Sequence, residues 1–284
     1  MPTVTLQLDG GPLVADIFAG PPQAPRVLLI HGWGGSGRYW RGTVERLRDR
    51  LGFIVPDLPG AGRSLRARSA PDMPAQAEAL AALLDRIGAR RVHVVGHSMG
   101  GGIALLLAAR RPDLVDRLVL TAISLFKSDA ERVFFHGITE LSGVLMRLRG
   151  PWMAGMPLLT RQFASRFFYR VPTDAAVLRE GFLDYLQMDR ATALASARSA
   201  TSQAIPAAAR RVRAPTLLIA AREDRVMPAA NVPFTLAAIP GSQVRWIERC
   251  GHLPMVERPD EYAAILREFL VETSVVSSQI TVPL

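Results

Sequence analysis

Apolar runs of strand length, separated by amphipathic stretches of helix length, predict an α/β fold whose parallel sheet is covered by helices on both faces. The first observation is that Arg26-Val-Leu-Leu-Ile30, Arg91-Val-His-Val-Val95 and Pro215-Thr-Leu-Leu-Ile219 are apolar almost throughout. A strand with one wet face would alternate instead. The second is the return of a helical period between such runs. The third is that this rhythm stops near Ser124 and resumes after Pro206, so that one fold is interrupted by a segment of different character.

Taken in order, Val4 to Leu8 and Leu13 to Phe18 flank the turn Asp9-Gly-Gly11 and read as a hairpin. The strand from Arg26 to Ile30 runs into a glycine-rich loop, followed by a helix from about Tyr39 to Arg50 and a strand at Phe53-Ile-Val55. A helix from Pro74 to Ile87 precedes the strand Arg91 to Val95. Another helix covers Met99 to Arg110, and Leu114 to Ala122 closes the first half. After the interruption come the strand at Pro215 to Ile219, a helix after Pro228, a strand at Gln243 to Ile247 and a last helix from Pro259 to Leu270.

The interrupting segment, 124–206, has helical periodicity, no convincing strand and many aromatic and methionine residues. It is expected to form a helical cap whose apolar side chains divide between a small core and the wall of a cleft. Phe126, Phe134, Trp152 and Phe167 are the candidates for that wall. The expected organisation is a core in two parts, 1–123 and 207–271, the cap between them, and a polar, β-prone tail at 272–284.

Composition limits the function classes. With 284 residues, 49% of them hydrophobic and 21% charged, the chain can bury roughly three quarters of its unfolded surface. The single cysteine, Cys250, forms no internal disulfide, which agrees with a reducing, cytoplasmic location. No apolar run approaches the ~20 residues of a membrane span, and the N-terminus lacks the basic start of a secretory signal. The net charge of +9 calls for an anionic partner to be considered. Lys127 is the only lysine, the arginines are mixed with acids along the chain, and no nucleic-acid motif accompanies them. No nucleic-acid partner is therefore expected. Arg147, Arg149, Arg166 and Arg170 in the cap leave peripheral contact with a membrane open, as they do steering of an anionic substrate. A monomer or a homodimer suits the sequence equally.

Chemistry concentrates at four places. Gly96-His-Ser-Met-Gly100 lies between an apolar strand and a helix. A strand that turns sharply into a helix holds its serine in a strained backbone conformation, and the flanking glycines leave room for the turn. Ser98 is therefore the candidate nucleophile. A serine hydroxyl needs a base and a group that orients the base. Glu223-Asp-Arg-Val-Met-Pro228 and Cys250-Gly-His-Leu-Pro254 each follow a strand, so Asp224 and His252 are expected at the same sheet edge as Ser98. Glu223 competes with Asp224 for the acid role. His31-Gly-Trp-Gly-Gly35 follows the strand that ends at Ile30, and the amides of Trp33 and Met99 are the candidate donors to an oxyanion. The Trp33 ring is a further candidate for the substrate pocket. His31 is expected to shape its loop through a hydrogen bond. His93 and His136 lack companions at ligand spacing, so no metal is expected.

These residues, with Asp57-Leu-Pro-Gly-Ala-Gly-Arg-Ser64, Gly101, Glu257 and Pro259, resemble the α/β-hydrolase superfamily in family order over nearly the whole chain outside the cap. The resemblance implies an eight-stranded, mostly parallel sheet with a helical cap inserted after the sixth strand, and no cofactor. Ser98 stands where haloalkane dehalogenases and epoxide hydrolases carry an aspartate. Trp33 is similar to the tryptophan of carboxylesterases of the pimeloyl-ester type, while Leu253 stands where carbon–carbon bond hydrolases usually carry a tryptophan. Ala221 stands where relatives often have glycine. The expectation is a serine hydrolase that cleaves a small-molecule carboxylic ester through an acyl-enzyme. Thioesterase, diketone hydrolase and acyltransferase chemistry use the same three residues. A small-molecule receptor is the alternative of another class.

Overall fold

The computed structural model describes residues 2–8, 10–65 and 69–272, so that Asp9 of the expected hairpin turn and the tail from 273 onward lie outside the described residues. Eight strands form one sheet: β1 (Thr3–Leu8), β2 (Gly11–Phe18), β3 (Arg26–Ile30), β4 (Gly52–Asp57), β5 (Val92–His97), β6 (Val115–Thr121), β7 (Thr216–Ala221) and β8 (Gln243–Ile247). Their spatial order is β1-β2-β4-β3-β5-β6-β7-β8. β2 runs antiparallel to both β1 and β4, and every other neighbouring pair is parallel. This is the eight-stranded, mostly parallel sheet of the sequence expectation.

The apolar strands are buried on both faces, and the two faces serve different helices. Leu28, Ile30, Val94, Leu118 and Leu120 point to one side, where they pack with α2 (Met73–Arg86) and α3 (Met99–Arg110). Their neighbours Val27, Leu29, Val95 and Val119 point to the other, toward α1 (Arg41–Leu47) and α11 (Pro259–Arg267). Residues that alternate in direction are thus apolar in both directions, which is why these strands show no alternation in sequence. The edge strand β8, whose burial alternates, is the counterexample.

Helix ends follow local chemistry. Asp72 caps α2 by accepting from the Ala75 amide at 2.9 Å, and Pro74 occupies the first turn, where its missing N–H costs nothing. The expected helix from Tyr39 begins instead as a 3₁₀ turn, Gly37–Trp40, with α1 starting at Arg41. The last α-helix stops at Arg267 and continues as a wider π turn over Glu268–Glu272.

Between β6 and β7 the described chain has no strand. It forms α4 (Asp129–Leu145), α5 (Pro157–Ala164), α6 (Ala175–Gln187), α7 (Arg190–Ser199) and α8 (Ala204–Ala209). Ser128 caps α4 and Asp174 caps α6. α8 runs past residue 206, and its Ile205, Ala208 and Ala209 are buried in the main core beside α3, so the last helix of the insertion is also part of the sheet's cover. The second half adds α9 (Val232–Ala238) and α10 (Pro254–Glu257). No helix among the described residues is long and apolar enough to cross a membrane.

His93, on β5, is 2% exposed, and burial lowers its pKa to about 4, against the pull of the nearby Asp116 carboxylate and with the help of Arg117. A histidine lowered in the folded state binds fewer protons there than in the unfolded chain, so stability is lost as pH falls below the unfolded value near 6.5. Acidification from pH 7 to pH 4 is expected to withdraw about 3 kcal/mol through His93 alone. Urea unfolding of wild type and His93→Gln at the two pH values checks this; the variant is expected to lose correspondingly less.

Candidate active site

Ser98 lies between the end of β5 and the start of α3, with φ 54° and ψ −120°. Such a backbone is rare for a residue with a side chain and costs about 1–3 kcal/mol. Two close approaches make the turn. A Cβ on Gly96 would stand 2.4 Å from the Gly100 carbonyl oxygen, and one on Gly100 would stand 2.5 Å from that of His31. The Ser98 amide donates to the Thr121 carbonyl at 2.9 Å, which ties the turn to the end of β6.

The loops after β7 and β8 bring the other two groups to this edge. Asp224 Oδ1 accepts from the amides of Val226 and Met227 at 2.7 and 2.8 Å, which leaves Oδ2 facing His252 Nδ1 at 2.8 Å. His252 is 3% exposed, and its Nε2 lies 3.0 Å from Ser98 Oγ. A carboxylate at Nδ1 fixes the proton there, so Nε2 is left to accept from the serine hydroxyl. Glu223, the competing acid, is occupied elsewhere: its Oε2 accepts from the Cys250 amide at 2.9 Å, and its own amide donates to the Cys250 carbonyl. Cys250 is fully buried, and burial pushes its thiol pKa up, which leaves it a poor nucleophile.

Trp33 lies in the loop after β3, and its amide meets no acceptor among the described residues. Met99 opens α3, so its amide has no carbonyl one turn earlier within the helix. His31 shapes this loop as expected: its Nδ1 lies 2.9 Å from the Gly32 carbonyl oxygen, and the Leu58 amide donates to its Nε2 at 2.9 Å. Burial holds the His31 pKa below the ordinary imidazole value.

Two cavities meet at Ser98. The larger, about 400 Å³, is lined by Trp33, Tyr39, Phe163, Phe167, Phe182, Tyr185, Leu253 and Val256, with Arg38, Arg41 and Arg46 also on its wall. The smaller, about 50 Å³, is bounded by Met99, Phe126, Phe135 and Met227, with Ser124, Arg132, Thr201 and Ser202 as polar members beside Ser98. Among the described residues no group of three or more His, Cys, Asp and Glu could hold a metal ion.

The model of the alpha/beta hydrolase fold family matches residues 25–259. The chain belongs to this family. An uncharacterized protein of Mycobacterium tuberculosis is 30% identical over 266 residues, covering 88% of this chain and 76% of its own length. The pimeloyl-[acyl-carrier protein] methyl ester esterase of Neisseria meningitidis is 28% identical over 254 residues, covering 88% of this chain and 78% of the relative. Among solved structures, a bacterial membrane phospholipase A superposes with a TM-score of 0.74 at 28% identity, over 96% of this chain and 86% of that one. Relatives of the family therefore include esterases and lipases, and membership of the family makes this chain a hydrolase.

Of the expected pocket residues, Trp33 and Phe167 line the large cavity and Phe126 the small one. Phe134 and Trp152 correct the sequence reading: they are 72% and 69% exposed and line neither cavity. α4 is apolar on two sides, and its inner position beside the small cavity is taken by Phe135, one residue or 100° further round.

Three groups have roles that the sequence left unassigned, although Glu257 belongs to the family resemblance. His97 donates from Nε2 to the His252 carbonyl at 2.8 Å and accepts at Nδ1 from the Tyr39 hydroxyl at 2.9 Å. That hydroxyl accepts in turn from the Gly32 amide. The chain of bonds joins the β3 loop, the serine turn and the histidine loop, and burial keeps His97 neutral by holding its pKa well below the ordinary value. Glu257 is the third group: it accepts from the amides of Gly251, Tyr169 and Arg170 and so clasps the insertion to the histidine loop. Each role includes a contact across more than 50 residues, which the sequence does not specify. Tyr39→Phe leaves the Gly32 amide and His97 Nδ1 without their partner, and is expected to lower unfolding free energy by about 1–3 kcal/mol, read by urea titration.

Proposed function

We propose that this protein is a serine hydrolase that cleaves a carboxylic ester through an acyl-enzyme, with Ser98 as nucleophile, His252 as general base and acid, and Asp224 as the group that orients and stabilises the imidazolium. The observation that carries this reading is the unbroken line of contacts at 2.8 and 3.0 Å from Asp224 through His252 to Ser98 Oγ.

In the first half-reaction, Ser98 Oγ attacks the ester carbonyl as His252 Nε2 takes its proton. The carbonyl oxygen becomes an oxyanion, which the amides of Trp33 and Met99 receive. The C–O bond to the alcohol breaks, and the proton passes from His252 to the departing oxygen. A water then takes the place of the alcohol, His252 accepts its proton, and collapse of the second tetrahedral intermediate returns the serine and releases the acid. The left-handed turn at Ser98 holds Oγ clear of the helix, and the positive end of the α3 dipole favours the negative intermediate.

The helical insertion acts as the cap. Phe163, Phe167, Phe182 and Tyr185 from α5, the turn after it and α6 form an apolar wall over Ser98, which suits a long acyl chain or an aromatic acid. The small cavity on the other side suits the short branch of the ester. Ester-cleaving relatives support this choice of bond: one is named for a methyl ester, another is a monoacylglycerol lipase of Xenopus laevis, and a structural neighbour is a phospholipase.

Rapid mixing with p-nitrophenyl esters is expected to give a burst of nitrophenol, and Ser98→Ala is expected to abolish it with a loss in kcat of about 10⁴-fold or more. No burst on any ester, together with tight binding of the intact ligand, would favour a receptor. Within an ester series from acetate to octanoate, kcat/KM is expected to rise by up to about fourfold per methylene as the large cavity fills, following ~0.8 kcal/mol per buried CH₂. A flat series would place the acyl chain outside that cavity.

A further inference from the structure

The helical insertion carries a surface that ester cleavage by itself does not use. Ten of the thirteen exposed large hydrophobic side chains among the described residues fall between Val133 and Leu158. Six of them, Val133, Phe134, Ile138, Leu141, Val144 and Leu145, belong to α4. At 3.6 residues per turn these six lie within an arc of about 140°. The opposite side of the helix is the side the fold uses: Thr139 and Gly143 are buried, and Met146, at its end, packs with Met188, Ala193 and Trp33. A contiguous exposed stripe of this kind marks a surface that meets an apolar partner.

Charge identifies the partner. From Leu141 to Thr173 the chain contains five arginines, at 147, 149, 161, 166 and 170, and neither aspartate nor glutamate. Arg149 turns inward to the carbonyls of Tyr185 and Met188, while Arg147, Arg161, Arg166 and Arg170 are exposed. An apolar helix face beside uncompensated cations is suited to lie in the plane of an anionic lipid interface, with its side chains among the acyl chains and the guanidinium groups at the phosphates.

We propose that the outer face of α4, with the arginine-rich segment that follows it, docks this protein on an anionic phospholipid surface. The docked helix is itself a wall of the site, since Arg132 and Phe135 on its inner side border the small cavity at Ser98. Lipid docking of this surface does not require the catalytic reading, and its test is independent of turnover.

The test uses the full chain carrying Ser98→Ala, so that the vesicles stay intact, in cosedimentation with phosphatidylcholine vesicles with and without phosphatidylglycerol. Binding is expected to be at least about tenfold tighter when phosphatidylglycerol is present, and to weaken by about tenfold at high salt. Leu141→Glu with Leu145→Glu is expected to weaken binding by more than about tenfold without lowering Tm, because both side chains are exposed. Arg147→Glu with Arg166→Glu is expected to remove the preference for phosphatidylglycerol. Three results would overturn the proposal: no cosedimentation with phosphatidylglycerol vesicles at low salt, equal binding to both compositions, or binding that the leucine substitutions leave unchanged. A concentration-dependent dimer that Leu141→Glu disrupts, with no vesicle binding, would assign the face to a second copy instead.

Discussion

The left-handed backbone at Ser98 is the constraint from which the geometry of the site follows. It exists because β5 ends and α3 begins within one residue, and it persists because Gly96 and Gly100 let the turn press against backbone atoms at distances that exclude a Cβ. The local cost, about 1–3 kcal/mol, is offset by the buried cover of α3, whose residues from Met99 to Ala108 are all inside the protein. A strained residue survives where its surroundings over-determine it. Here the two layers of apolar packing on either side of the sheet supply that determination.

The loops at this edge are held by polar groups that are themselves buried and paired. Tyr39 and His97 connect the β3 loop to the His252 carbonyl, Glu223 joins the loops after β7 and β8, and Glu257 joins the histidine loop to residues 169 and 170 of the insertion. Two of the histidines near Ser98, His31 and His97, are kept neutral by burial. Beside Ser98, the imidazole that faces a carboxylate is that of His252, with Asp224 at its Nδ1. The His252 amide also donates to the Phe167 carbonyl at 2.7 Å, so the wall of the large cavity and the position of the histidine share a hydrogen bond. The insertion and the histidine loop are therefore joined by direct and Glu257-mediated hydrogen bonds.

Much of this was legible in the chain. The strands around Val27, Val94 and Leu218 are apolar in both directions because both faces of a parallel sheet are covered, and that pattern is visible without coordinates. The pentapeptide around Ser98 was informative for the same reason, since its place between a strand and a helix, more than its letters, pointed to the sharp turn. The aromatic residues of the insertion were not legible in this way. Phe134 and Phe135 are adjacent in sequence and opposite in fate, because α4 is apolar on two sides and periodicity cannot say which side faces inward. His97 was hidden inside the serine motif, and its partner Tyr39 lies 58 residues away.

The sequence by itself determined the strands, the turns that need glycine, and the order in which serine, aspartate and histidine occur, because these depend on short-range sterics and on the period of apolar residues. Only the tertiary structure decided which oxygen of Asp224 faces His252, which of two acids does so, which aromatic rings line a cavity and which face of α4 is left outside. Those outcomes depend on distances between segments far apart along the chain, and such distances are set by how the packed layers close on one another.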